Sequence, residues 1–142
     1  MASGLNSTSL GSAQCPCGRT DARRRPVAYG DCCGRYVENF SACPAPDAEQ
    51  LMRSRYTAFA LGRVDYLLAT WHPDFRPADL KLEAATKWLG LEVKSHEVLG
   101  PDAARVSFVA RSALNGRATR LRENSRFVRQ GGRWFYTDGE LG

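Results

Sequence analysis

LEVKSHEVLGPDAARVSFVARSALNGRATRLRENSRFVRQGGRWFYTDG, residues 91–139, decides the fold. Apolar and polar residues alternate through LEVKSHEVL, ARVSFVARSAL, RATRLRENSRFVRQ and RWFYTDG. Period two is the signature of extended strands, whose side chains point to opposite faces in turn. The breaks between them are short: GPD at 100–102, Asn115-Gly116 and Gly131-Gly132. Asn-Gly is the strongest two-residue hairpin signal, because both positions tolerate the positive φ that a tight turn requires. Four strands joined by three tight turns predict an antiparallel meander.

Upstream the period lengthens. Asp47 with Gln50 reads as a capping box, Leu51, Met52, Arg55, Tyr56 and Phe59 recur at helical spacing, and Gly62 is a stop. VDYLLATW, residues 64–71, predicts a second helix ended by His72-Pro73, and DLKLEAATKW, residues 79–88, a third closed by Gly90. Helices followed by a meander predict an α+β domain over residues 47–142, with the helices covering one face of a curved antiparallel sheet.

The first third of the chain has neither period. Residues 1–14 lack the basic start and apolar centre of a signal peptide and read as a flexible tail. No apolar run approaches the roughly 20 residues that span a bilayer, so the expected location is the cytoplasm. Residues 15–46 are rich in Cys, Gly, Pro and Arg. Such a segment has too little apolar surface to fold by burial alone. It ends in CPAPD, residues 43–47, an extended linker because each proline restricts the residue before it.

What holds that segment is written in CPCG (15–18) and DCCG (31–34). In a reducing compartment clustered cysteines bind metal or do redox chemistry more often than they form structural disulfides. Zn²⁺ takes four thiolates at the corners of a tetrahedron, which two facing pairs, Cys15/Cys17 and Cys32/Cys33, can supply. Arginines 19, 23, 24, 25 and 35 would moderate the excess negative charge of such a site. The alternatives are a Cys15/Cys17 redox pair, a strained vicinal Cys32–Cys33 disulfide, or an iron–sulfur cluster. The first lacks C-x-x-C spacing, and the last normally uses other spacings. Cys43, outside the pairs, reads as a spare thiol.

CPCG…Y-x-DCCG resembles the SEC-C motif, the small zinc module at the C-terminus of the SecA translocation ATPase. LMRSRYTAFALGRVDYLLATWHP and SRFVRQGGRWFYTDG resemble the bacterial YchJ family, uncharacterised proteins in which an N-terminal SEC-C motif precedes a nuclear-transport-factor-2-like domain. The resemblance runs from Cys15 to Gly139. It implies a cone of helices against a curved sheet, with Cys15, Cys17, Cys32 and Cys33 as zinc ligands. By analogy with SecA and its chaperone it implies a protein partner for the zinc module. The interval between the cysteine pairs is longer here than in the usual motif, by an arginine-rich insertion around Arg23–Arg25.

Three functions follow as expectations. The first is a zinc-binding adaptor that meets a protein partner and has no catalytic role. The second is an enzyme or small-molecule binder using the cavity that a helix-covered sheet leaves at its open end. Its lining would draw on Tyr56, Tyr66, Trp71, Trp88, Phe108, Phe127, Trp134 and Tyr136, with His72 and Glu123 as acid/base candidates. Glu123 shares a strand face with Leu121 and Phe127, so it should point inward and need Arg53 or Arg55 as partner. The third is nucleic-acid binding through the basic loop and Arg117, Arg120, Arg122, Arg126, Arg129 and Arg133, encouraged by a net charge of +5. No nucleophile elbow, phosphate loop or metal-binding histidine pair is present. His96, alternating with Lys94 and Glu92, reads as exposed.

Overall fold

A computed structural model describes residues 10–142. The meander forms as its alternation predicts. Strands β1 (Lys87–Gly100), β2 (Ala103–Leu114), β3 (Arg117–Gln130) and β4 (Arg133–Leu141) make one antiparallel sheet in the order β1-β2-β3-β4. Asn115 (φ 53°) and Gly116 (φ 77°) both take the left-handed conformation in the β2–β3 turn, as a tight hairpin with the right twist requires. The face carrying Ala104, Val106, Phe108 and Ala110 of β2 is buried, and Ser125 and Phe127 of β3 pair with Val106 and Ala104 on it.

β1 departs from simple alternation. One-residue register shifts occur between Trp88 and Gly90, Val93 and Ser95, and Val98 and Gly100. Each shift inserts a residue and bends the strand. The positions opposite Ser112, Ala110, Phe108 and Val106 of β2 are therefore Trp88, Leu91, Val93 and His96, at intervals of three, two and three. His96 is accordingly not an exposed strand residue: only 22% of its side chain is exposed, and Nδ1 lies 3.8 Å from Glu49 Oε1.

Besides the helical residues 10–12, two short helices, one longer helix and a 3-10 turn precede the sheet among the described residues. α1 (Gly34–Val37) lies inside the cysteine-rich segment, behind a 3-10 turn at Tyr29–Asp31. α2 (Ala48–Leu61) and α3 (Val64–Ala69) precede the sheet. Asp47 Oδ1 accepts from the Gln50 amide at 2.8 Å, so α2 is capped as expected. The reciprocal half of the box is absent, because the Gln50 side chain instead accepts from the Tyr36 hydroxyl and from Arg35. Gly62 ends α2 at φ 74°. α3 stops at Ala69; residues 70–72 then run beside β4, with Tyr136 N donating to Thr70 O at 2.9 Å and His72 N to Tyr136 O at 2.8 Å.

The third predicted helix does not form. Residues 79–86 contain no helix, and Lys87 and Trp88 already belong to β1. Leu80 and Leu82 both pack on the core. Residues two apart face nearly opposite sides of a helix but the same side of an extended chain, so burying both selects the extended form.

The N-terminal segment shares the core rather than standing beside it. Cys15, Cys17, Tyr29, Cys32, Cys33, Tyr36 and Val37 form one continuous buried cluster with Leu51, Met52, Tyr66 and Phe127. Of the stretch read as a flexible tail, residues 1–9 lie outside the described residues. Residues 10–14 are engaged: Leu10 packs on the core, Tyr29 N donates to Ala13 O at 2.8 Å, and Gln14 bridges Ala28. Arg133, at the start of β4, donates to Phe40 O at 2.7 Å and also to Ser41 O. No helix among the described residues is long and apolar enough to cross a membrane.

Candidate metal centre and cavity

The first cysteine pair sits on a tight turn. Gly18 N donates to Cys15 O at 3.1 Å, and Gly18 closes the turn at φ 75°, a conformation that costs glycine nothing. The chain then runs out and back as a short hairpin, with bridges Gln14–Ala28 and Thr20–Pro26 and with Cys15 N donating to Val27 O at 2.9 Å. The second pair follows the 3-10 turn, and Cys33 is the residue that caps α1. A Cβ on Gly34 would come within 2.7 Å of Tyr29 O, so only glycine allows the return of the chain onto that turn.

The result is one compact set of sulfurs. The Sγ atoms of Cys15, Cys17, Cys32 and Cys33 all lie within 4.8 Å of one another, and those of Cys17 and Cys32 are 3.6 Å apart. A tetrahedral ion with bonds of about 2.3 Å sets its sulfurs ~3.8 Å apart, so the four could hold a metal ion. All four are at most 3% exposed. Buried thiols this close cannot ionise alike. Cys32 is driven down, first by hydrogen bonds from Cys15, Cys17 and Cys33 and then by Arg19, whose Nε lies 3.3 Å from its sulfur. Cys33 is driven up, first through Cys15. A bound cation removes that conflict by stabilising all four as thiolates.

Surroundings unforeseen in the sequence complete the centre. Thr57 of α2, fully buried, places Oγ1 3.7 Å from Cys15 Sγ. Arg53 donates to Cys17 O at 3.4 Å and pairs with Glu49 at 3.0 Å. Neither residue carries a sequence signal beyond its place on α2. Cys43 stays apart from the four. The arginine-rich insertion is an ordered tip: Asp21 Oδ1 accepts from the amides of Arg23 (2.8 Å) and Arg25 (3.0 Å), and Oδ2 pairs with Arg25 Nε at 3.1 Å. Those bonds pull the Asp21 carboxyl below the ordinary carboxylate range, first through the Arg25 amide. Arg24 is left in the left-handed conformation at φ 62°. The arginines of the tip point to solvent.

The second candidate is a cavity of about 240 Å³ between α2 and the sheet. Of the expected lining, Tyr56, Trp71, Trp88, Phe108, Phe127, Tyr136 and Glu123 are there; Tyr66, His72 and Trp134 are not. Tyr66 is sealed in the core, where its hydroxyl meets Ser54 Oγ at 2.7 Å. His72 ends the strand-like run of residues 70–72 and lies outside the cavity between the rings of Phe75 and Phe135, with Nε2 2.7 Å from Gln130 Oε1 and Nδ1 accepting from the Asp74 amide at 3.1 Å. His72 and Glu123 therefore do not form one acid/base site. Glu123 does point inward, where its Oε2 accepts from Ser125 (2.6 Å) and Tyr136 (3.3 Å). Its space is kept by Gly139 on β4, where any Cβ would collide with the carboxylate. Arg55 also lines the cavity, but it bonds to Leu67 O and Thr70 Oγ1 rather than to Glu123.

The arginines of β3 and β4 divide. Arg126 pairs with Asp138 and Glu140, Arg129 with Asp102, and Arg133 with backbone carbonyls, while Arg117, Arg120 and Arg122 are exposed.

The family model for the YchJ middle NTF2-like domain matches residues 47–139. A UPF0225 protein of Polaromonas sp. is 54% identical over 132 residues, covering 92% of this chain and 95% of that one. Another from Methylibium petroleiphilum is 59% identical over 128 residues, covering 89% and 88%. Two solved structures are similar at 29% identity and a TM-score of 0.76. One is a SEC-C motif protein from Psychrobacter arcticus, covering 94% of this chain and 85% of that one. The other is the SEC-C motif protein RPA3114 from Rhodopseudomonas palustris, covering 92% and 99%.

Proposed function

The chain belongs to the YchJ family of SEC-C motif proteins, UPF0225, and from that premise we propose that it is a zinc-organised adaptor of the cytoplasm. Cys15, Cys17, Cys32 and Cys33 hold the ion, which supplies structure and no chemistry. The observation that carries this reading is the single set of four buried sulfurs within 4.8 Å of one another. Four thiolates favour Zn²⁺ among common ions, and thiolates persist in a reducing compartment.

The partner is a protein with an acidic surface, met by the tip that Asp21 orders. Holding Arg23–Arg25 in one backbone conformation before contact lowers the entropy lost on binding. Elemental analysis of the purified chain should give one zinc per chain, and Cys17→Ser should abolish it. A metal-free, fully folded wild-type chain would defeat the zinc assignment. Cross-linking in cells should capture a partner through the tip, and reversing Arg23, Arg24 and Arg25 to Glu should remove that partner without loss of zinc. Unchanged cross-links would defeat the adaptor reading.

A second reading, a small-molecule site in the cone, is supported by the cavity itself. An apolar enclosure with a few convergent polar groups is the usual form of a ligand site.

A further inference from the structure

Within that cavity one polar group is left incomplete. Arg55 is 4% exposed, and burial lowers its guanidinium to about 10, so it stays charged at neutral pH. Both of its hydrogen bonds leave from Nη1, to Leu67 O at 2.8 Å and Thr70 Oγ1 at 2.7 Å. The guanidinium lies over the rings of Tyr136 (4.6 Å) and Trp71 (5.1 Å), which fix its plane. Nε and Nη2 donate to nothing among the described residues, although a guanidinium offers five N–H groups. The one carboxylate of the cavity does not complete them, because Glu123 is held by Ser125 and Tyr136. A buried charge with unused donors beside open space is costly unless something else fills the fork.

We infer that the cavity binds a small, single-ring organic carboxylate, its carboxyl group held by Nε and Nη2 of Arg55 and its ring among Trp71, Trp88 and Phe108. This rests on the small-molecule reading of the cone and names the class of ligand. An Arg edge matches a carboxylate by two parallel hydrogen bonds, which a neutral group cannot equal. The volume of about 240 Å³ falls just short of the roughly 300–1,000 Å³ of drug-sized sites, which limits the occupant to about one ring. Glu123 keeps Oε1 available, so a hydroxyl or N–H at the far end of the ligand would find an acceptor there.

The test uses the full zinc-loaded chain and two probes, 4-hydroxyphenylacetate and its neutral amide, followed by NMR of the tryptophan indole N–H groups. Trp71 and Trp88 line the cavity and Trp134 does not, so the third indole is an internal control. The acid should shift the first two signals and spare the third, and bind at least about tenfold tighter than the amide. Arg55→Lys, which keeps the charge and loses the fork, should abolish that preference; if the variant fails to fold, the acid–amide comparison in the wild-type chain decides. Equal binding of acid and amide, with the same two indoles shifting, overturns the carboxylate and leaves the small-molecule reading intact. No shift with either probe removes both.

Discussion

Residues 10–46 and residues 47–142 are held by opposite means. The second region is secured by area: a meander with one apolar face, covered by α2, against which α3 packs. The first has the helical residues 10–12, one helical turn at Gly34–Val37, a hairpin of two bridges and a 3-10 turn, none able to persist alone. It is fixed at a point, by four sulfurs. The two are nonetheless one core, because Thr57 and Arg53 of α2 reach the cysteine loops and Gln50 accepts from Tyr36. A metal site can order a polar segment cheaply when a finished apolar wall stands behind it.

The largest effect should come from the point. Cys33→Ser should lose the metal and collapse hydrogen-exchange protection at Tyr29–Val37, a loss on the order of 10 kcal/mol locally by comparison with zinc-finger peptides. Amides of β2 and β3 should stay protected; if they collapse in parallel, the contrast between the regions fails. Phe127→Ala tests the other side. It opens the core and should cost about 3–5 kcal/mol in denaturant unfolding, while the metal content of the folded chain stays that of the parent.

Asp47 lies at the junction. Asp47→Ala should cost about 1 kcal/mol through the lost cap and should loosen the Gln50–Tyr36 contact, visible as faster exchange in α1. The smallest effect should be at the far edge. Arg126, by hydrogen bonding, holds the Asp138 carboxyl below the ordinary carboxylate range. The folded value is the depressed one, so the stabilisation is present above the unfolded value and is lost as pH falls through the folded one. Asp138→Asn should lower stability slightly at pH 7, where the pair is formed, and flatten stability against pH in the acid window, so that variant and parent converge below it, as read by thermal unfolding.

The meander was legible because each strand buries one face, so alternation carries through to structure. Asn115-Gly116 and Gly62 were legible because few residues take positive φ. The clustering of the four cysteines could be read from their two pairs, since two facing pairs of thiols need little tertiary knowledge to be placed together. What failed did so where tertiary packing chose between local options. Leu80 and Leu82 went extended to reach the core, and the bulges of β1 turned His96 toward Glu49. His72 was lost from the cavity because the chain after Ala69 pairs with Tyr136, and nothing in the local sequence announces a bridge from Trp71 to a residue 65 positions away. Arg55 rather than Arg53 lines the cavity because the pitch of α2 gives Arg53 to Glu49 and the cysteine loop.

Arg133 sets an order of events during synthesis. Its guanidinium clasps the carbonyls of Phe40 and Ser41, groups that leave the ribosome 93 and 92 residues earlier. At 5–20 residues per second that is roughly 5–20 s of waiting. The cysteine pairs close over only 15 residues and can take up metal at once, whereas the exit of their segment stays unfastened until the last strand arrives. A nascent chain paused before Arg133 should therefore have its four sulfurs gathered on a domain not yet latched.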